Sequence, residues 1–135
     1  MLRKAQFEIL LETTGENGED RVQQTSQGAV RIEDNDAMLR YAEPDNEGTA
    51  TLLLTDRLAD LKRTGRIQAR LTFLTGKLQD TYYTTPLGSL RLSVFTHAQH
   101  YTFDNEGGKF TARYSILIDG THATDNCLTV QWRYL

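Results

Sequence analysis

The chain has 135 residues, 39% of them hydrophobic and 24% charged, with a net charge of −3; this length fits one domain, 1–135, that buries roughly two thirds of its unfolded surface without a metal or disulfide staple. Acidic residues outnumber Lys and Arg by 18 to 15 with no basic run, which argues against a phosphate-backbone partner. Cys127 is the only cysteine, so an internal disulfide is excluded; no signal-peptide core and no run of roughly 20 apolar residues is present, and a cytoplasmic protein with no membrane partner is expected.

Period-two alternation runs through the chain. In the first segment, Ala5, Phe7, Ile9 and Leu11 share one face and Lys4, Gln6, Glu8 and Glu12 lie on the other. Residues 13–19 are turn-rich. Residues 21–32 read as a long strand with a bulge or bend at Gly28. After a turn at Asn35 and Asp36, Ala37, Leu39 and Tyr41 alternate with Met38 and Arg40. A polar turn over 44–48 leads into β-rich residues 49–55.

Leu54, Leu58 and Leu61 also fit helical spacing, with Thr55 or Asp56 as an N-cap and Gly65 as a stop. The pattern leaves helix and strand both open there. Beyond Thr64 and Gly65, Ile67, Ala69, Leu71 and Phe73 oppose Arg66, Gln68, Arg70 and Thr72, the cleanest one-sided strand. Residues 79–85 lead to a tight turn at Pro86, Leu87 and Gly88, where Pro fixes φ and Gly permits a positive one. Extended chain follows from Leu90 to Phe103, then a hairpin turn over 105–108. Phe110, Ala112, Tyr114, Ile116 and Ile118 form the next apolar face. Residues 119–126 read as a longer loop before a last strand carrying Leu128, Val130, Trp132 and Tyr134. The count is about nine or ten strands with turns between neighbours, the spacing of a sandwich or an up-and-down barrel. Each strand has one dry and one wet face, and a closed sheet buries the dry faces and removes its edges.

The run from Arg63 to Thr96 carries Arg63-x-Gly65, Phe73, Gly76, Tyr83-x-Thr85-Pro86-x-Gly88, Leu90 and Leu92. With Tyr41-x-Glu43 upstream and Tyr114 and Leu117 downstream, this resembles the YwiB-like family of uncharacterised small bacterial β-barrel proteins, grouped with the calycin (lipocalin-like) superfamily. The family often has an aromatic between the Pro and the Gly, where this chain has Leu87. The resemblance implies an all-β fold, a single antiparallel up-and-down barrel of about ten strands. It turns residues 49–63 toward strand and suggests an interior site for a small apolar molecule. It implies no established activity.

The residues offer little catalytic chemistry. Neither a phosphate-binding glycine loop nor a Gly-x-Ser-x-Gly elbow occurs. Cys127 would act as a nucleophile only if a histidine reached it; otherwise it is a small semi-buried side chain. His97 and His100, an odd number of residues apart, face opposite sides of a strand unless a bulge intervenes, so no shared metal is expected. His122 falls in the loop. Glu33, Asp34 and Asp36 read as a solvated turn.

Arg63 is the charged residue that stands apart. On a strand it shares a face with Ala59 and Leu61, which aims its guanidinium inward. A buried Arg needs a partner: a ligand carboxylate, an internal acid, or a tyrosine hydroxyl such as that of Tyr83. A position at the barrel rim beside Gly65 is the other alternative. Tyr83 and Thr85 sit beside the turn at Pro86 and are candidates for a binding rim. The sequence therefore points to a non-enzymatic barrel with no cofactor, binding a small apolar or acidic ligand through Arg63, Tyr83 and Thr85. The alternative is a solidly packed structural or protein-interaction barrel, as a homodimer or with another protein. An enzyme ranks last, since no catalytic residue or metal set is evident.

Overall fold

In the computed structural model, which describes residues 2–135, the alternation becomes ten strands: β1 Leu2–Gly15, β2 Gly18–Glu33, β3 Asp36–Glu43, β4 Gly48–Leu54, β5 Ala59–Thr64, β6 Gln68–Phe73, β7 Leu78–Thr85, β8 Gly88–Phe103, β9 Gly107–Ile118 and β10 Thr121–Tyr134. Each strand pairs antiparallel with the next, and β1 pairs with β10, so the sheet closes into a barrel. Closure follows from the alternation: every strand has a dry face, and a ring buries all of them at once. Among the described residues no helix is long and apolar enough to cross a membrane.

Because the strands alternate in direction, the turns 16–17, 44–47, 65–67, 86–87 and 119–120 share one end, the upper mouth. The other end holds the remaining turns and both termini. The interior is filled by fully buried Phe7, Leu39, Leu52, Leu54, Phe73 and Phe110, each contributing roughly 1.5–3 kcal/mol by leaving water. Trp132 lies across Gly108, where any side chain would collide with the indole.

Two expectations change, and one open alternative is settled in favour of strand. Residues 119–126 are not a long loop. Asp119 and Gly120, with φ of 51° and 78°, make a two-residue turn, and β10 starts at Thr121. Both central residues have the positive φ that matches the twist of a hairpin, so the polar residues after them are strand positions, with Asp125 exposed and Asn126 buried on the inner face. The helical alternative around Leu58 is also overturned. Thr55 Oγ1 accepts from the backbone N–H of Arg57 and Leu58 at 3.3 and 3.2 Å, which closes a tight turn between β4 and β5 instead of capping a helix. Gly28 lies in unbroken register with both neighbours. It is a close-approach site, since a side chain there would strike the Arg40 carbonyl, and not a bulge.

The closure is uneven. β6 and β7 pair only at Gln68 with Thr84 and Ala69 with Tyr83. Below that they part. Side chains bridge the gap, with Thr81 Oγ1 donating to Arg70 O and Gln99 Nε2 to Phe73 O at 2.8 Å.

Candidate functional site

The upper mouth is organised by two turns that lock together. Asn46, in the 3-10 turn Pro44–Asn46, is buried. Its Nδ2 donates to Ile67 O at 3.0 Å and Thr64 O at 3.3 Å, and its Oδ1 accepts from Ile67 N at 2.6 Å. The Asn46 carbonyl also takes the N–H of Arg66 at 2.8 Å. Gly65, at φ 138°, passes so close to Asn46 that no side chain fits. This latch ties the turn after β3 to the turn after β5 across the end of β4, where Glu43 meets Arg63.

Arg63 does face inward, at the mouth. Its Nε donates to both Glu43 carboxylate oxygens at 3.1 Å. The Arg63 side chain is 27% exposed and that of Glu43 10%. The partner is thus an internal acid, and not Tyr83. Among the described residues neither terminal guanidinium nitrogen makes a hydrogen bond. Burial pulls the Arg63 pKa down, but the hydrogen bond and charge of Glu43 outweigh it and hold the pKa above its ordinary value. The guanidinium stays charged.

Tyr83 lies on the same inner row: Arg63 opposes Ala69, and Ala69 opposes Tyr83. Thr85 stands beside the next turn. Its hydroxyl accepts from Leu87 N at 3.1 Å and donates to Gly88 O at 3.3 Å, so it is occupied in shaping that turn. An open groove of about 570 Å³ runs beside Arg63, walled by Arg66, Ile67, Thr85, Pro86 and Leu87 among others. Arg63 and Thr85 therefore share the groove, with Tyr83 on the inner wall next to it.

Two residues quoted in the Tyr41-x-Glu43 pattern, and Tyr114, also belong to this region. Tyr41 and Tyr114 are buried on the inner face. Burial raises both phenol pKa values, that of Tyr114 to about 12, while the Arg63 charge pulls each back. Only their inward phase was legible, since Tyr41, Tyr114 and Arg63 stand on β3, β9 and β5, no two of them neighbours in the ring.

A second polar cluster lies on the outer face. β-Bulges interrupt β8 between Thr96 and Ala98 and β10 between His122 and Thr124. The first puts His97 and His100 on the same side after all. Ser115 Oγ donates to Asp125 Oδ1 at 2.6 Å, and His122 Nε2 reaches the same oxygen at 2.8 Å. With its one proton committed to Asp125, Ser115 accepts from His97 Nε2 at 2.7 Å. The serine thus straps three strands together, and its hydroxyl proton points away from the histidine that would have to remove it. Among the described residues no three His, Cys, Asp or Glu side chains converge on a metal position.

Residues 8–130 match the family described as "Domain of unknown function (DUF1934)". No curated protein matches the sequence. The barrel is similar to the crystal structure of the ywiB protein from Bacillus subtilis, with a TM-score of 0.88 over 99% of this chain and 93% of that one, at 15% sequence identity. The likeness at that identity is one of fold.

Proposed function

Since the chain belongs to the DUF1934 family, whose description assigns no function, we propose its role from the geometry of the mouth: a non-enzymatic barrel that binds a small, partly apolar ligand bearing an acidic or other hydrogen-bond-accepting group. The observation that carries this reading is Arg63, half-buried and held through Nε alone beside an apolar-walled groove. Ligand sites combine such a wall with a few placed polar groups, and the planar fork of Arg suits a carboxylate. Ile67, Pro86 and Leu87 would meet the apolar part, with Tyr83 and Thr85 at its rim. A calycin-like way of using the barrel fits this arrangement. The reading also includes a bacterial, cytoplasmic protein without nucleic-acid or membrane partners, supported by the lone Cys127, the net charge of −3 and polar outward faces.

Native mass spectrometry of protein from its own cells tests this. A retained small acid is expected, with Arg63→Ala weakening its binding at least tenfold, the value of one charge-assisted hydrogen bond. Unchanged affinity in a folded variant removes the role of Arg63. A second reading, a packed interaction barrel, is favoured by Leu87, which is 99% exposed at the turn tip, with Leu90 and Tyr82 also exposed nearby in sequence. A stable dimer carrying no small molecule would support it instead.

A further inference from the structure

At the end of the barrel opposite the mouth, β8 runs on with a strand on one side only. β7 accompanies it from Gly88 to Phe95, whereas β9 follows it as far as Phe103. The segment after β6 touches β8 at Thr96, where Gly76 N donates to Thr96 O at 2.8 Å and Thr96 N to Lys77 O at 3.4 Å, and then leaves it for β7. Along residues 98–103 the edge of β8 turned away from β9 therefore has no strand on it. Every second residue of such a stretch aims its backbone N–H and C=O away from the ladder, the arrangement that recruits a further strand.

Side chains close the ring here. Gln99 Nε2 donates to Phe73 O and the Tyr101 hydroxyl to Asn35 O, both at 2.8 Å. Beside them lies a groove of about 400 Å³, lined on the β8 side by Gln99, His100 and Tyr101 and on the other by the 55–57 turn and the 74–77 segment. Consecutive strand residues point to opposite faces, so a groove lined by three in a row follows the edge of the strand and not one of its faces. With turns for its far wall, the groove suits one extended chain and not the edge of a second barrel. Its charge is one-sided. Arg57 and Lys77 are exposed in the lining, and among the described residues neither side chain makes an ion pair or hydrogen bond. Asp56 is the acid of the lining; Asp36, next to the Asn35 carbonyl that holds Tyr101, lies outside it. Two fixed cations against one acid make a positive patch on a chain of net charge −3.

We propose that this edge docks an extended acidic segment of a partner protein, added as a strand against residues 98–103 with its carboxylates toward Arg57 and Lys77. Main-chain pairing supplies the attraction, and the flanking charges select the partner. The site is independent of Arg63, which stands at the other end of the barrel.

The test is fluorescence anisotropy of the whole protein with a labelled peptide of about eight residues alternating valine and glutamate, its lysine counterpart, and the glutamate peptide with N-methylated amides, joined by amide exchange of the complex. The glutamate peptide is expected to bind, the lysine peptide at least about tenfold more weakly, and the N-methylated peptide not at all. Exchange should slow at alternate residues within 98–103. Arg57→Glu with Lys77→Glu should reverse the order of the two charged peptides, and both side chains are exposed, so the melting temperature should hold. Equal binding of the glutamate and lysine peptides overturns the acidic assignment. Undiminished binding of the N-methylated peptide, or protection elsewhere, overturns the strand pairing. A dimer of the protein alone that protects residues 98–103 puts a second copy there and overturns the peptide partner. Failure of every peptide to bind overturns the site.

Discussion

At the scale of single residues, the mouth is governed by what each polar group has been left without. Glu43 engages Arg63 through Nε, which leaves the two terminal guanidinium nitrogens without a hydrogen bond among the described residues, and the phenols of Tyr41 and Tyr114 are buried on the inner face. The phenols make a direct prediction about pH. Their folded pKa values lie above the ordinary value of 10.0, so folding favours the protonated form. The stability this contributes is fully present below pH 10 and is lost as pH rises toward about 12, where Tyr114 ionises in place. Ultraviolet titration should therefore show at least two of the six tyrosines silent at pH 10.5 and appearing only in stronger alkali. All six ionising together near pH 10 would contradict the burial of Tyr41 and Tyr114. Asp125 works in the opposite sense. The hydrogen bonds of Ser115 and then His122 hold its carboxyl below the ordinary carboxylate value, so its contribution is present above that value and fades as the solution becomes more acidic.

At the scale of elements, the two turns at the mouth stand or fall together. Asn46 joins the 44–47 turn to the 65–67 turn through its amide, and removing it strands Thr64 and Ile67 backbone groups that are partly buried. Asn46→Ala is expected to destabilise the barrel by about 2–3 kcal/mol, from the lost bonds and the groups left unpaired, measured by urea unfolding. It should also loosen Arg63 by freeing the ends of β3 and β5. Asn46→Asp would keep the acceptor for Ile67 N and lose the donors, and should fall between. A loss within 0.5 kcal/mol for the alanine variant would mean that the two turns hold their shape independently. The groove that Arg63 faces is thus a product of turn chemistry, and the sequence showed that chemistry as Pro44, Gly48 and Gly65 without showing that Asn46 links the turns.

At the scale of the whole molecule, the barrel has one weak seam. β1 and β2 pair continuously from Leu2 with Arg31 to Gly15 with Gly18, while β6 and β7 share two paired positions. Amide exchange should accordingly be slow along β1 and β2 and much faster at Thr72, Tyr82 and Asp80; uniform protection around the ring would show the seam to be closed in solution. The sequence by itself determined the all-β architecture and nearly every strand, because alternation is local; it left sandwich and barrel both open, the family resemblance favoured the barrel, and the pairing of β1 with β10 closed it. It identified the Tyr41, Glu43 and Tyr114 positions as a pattern but assigned them no shared place. It misread residues 119–126, where polar side chains on a strand look like a loop, and its pattern left residues 54–65 open. Only the tertiary structure decided that Glu43 holds Arg63, that His97 and His100 share a side, and that Asn46 ties two turns together. Those facts depend on register, bulges and the curvature of a closed sheet, which bring together residues far apart in the chain, and no short-range pattern encodes them.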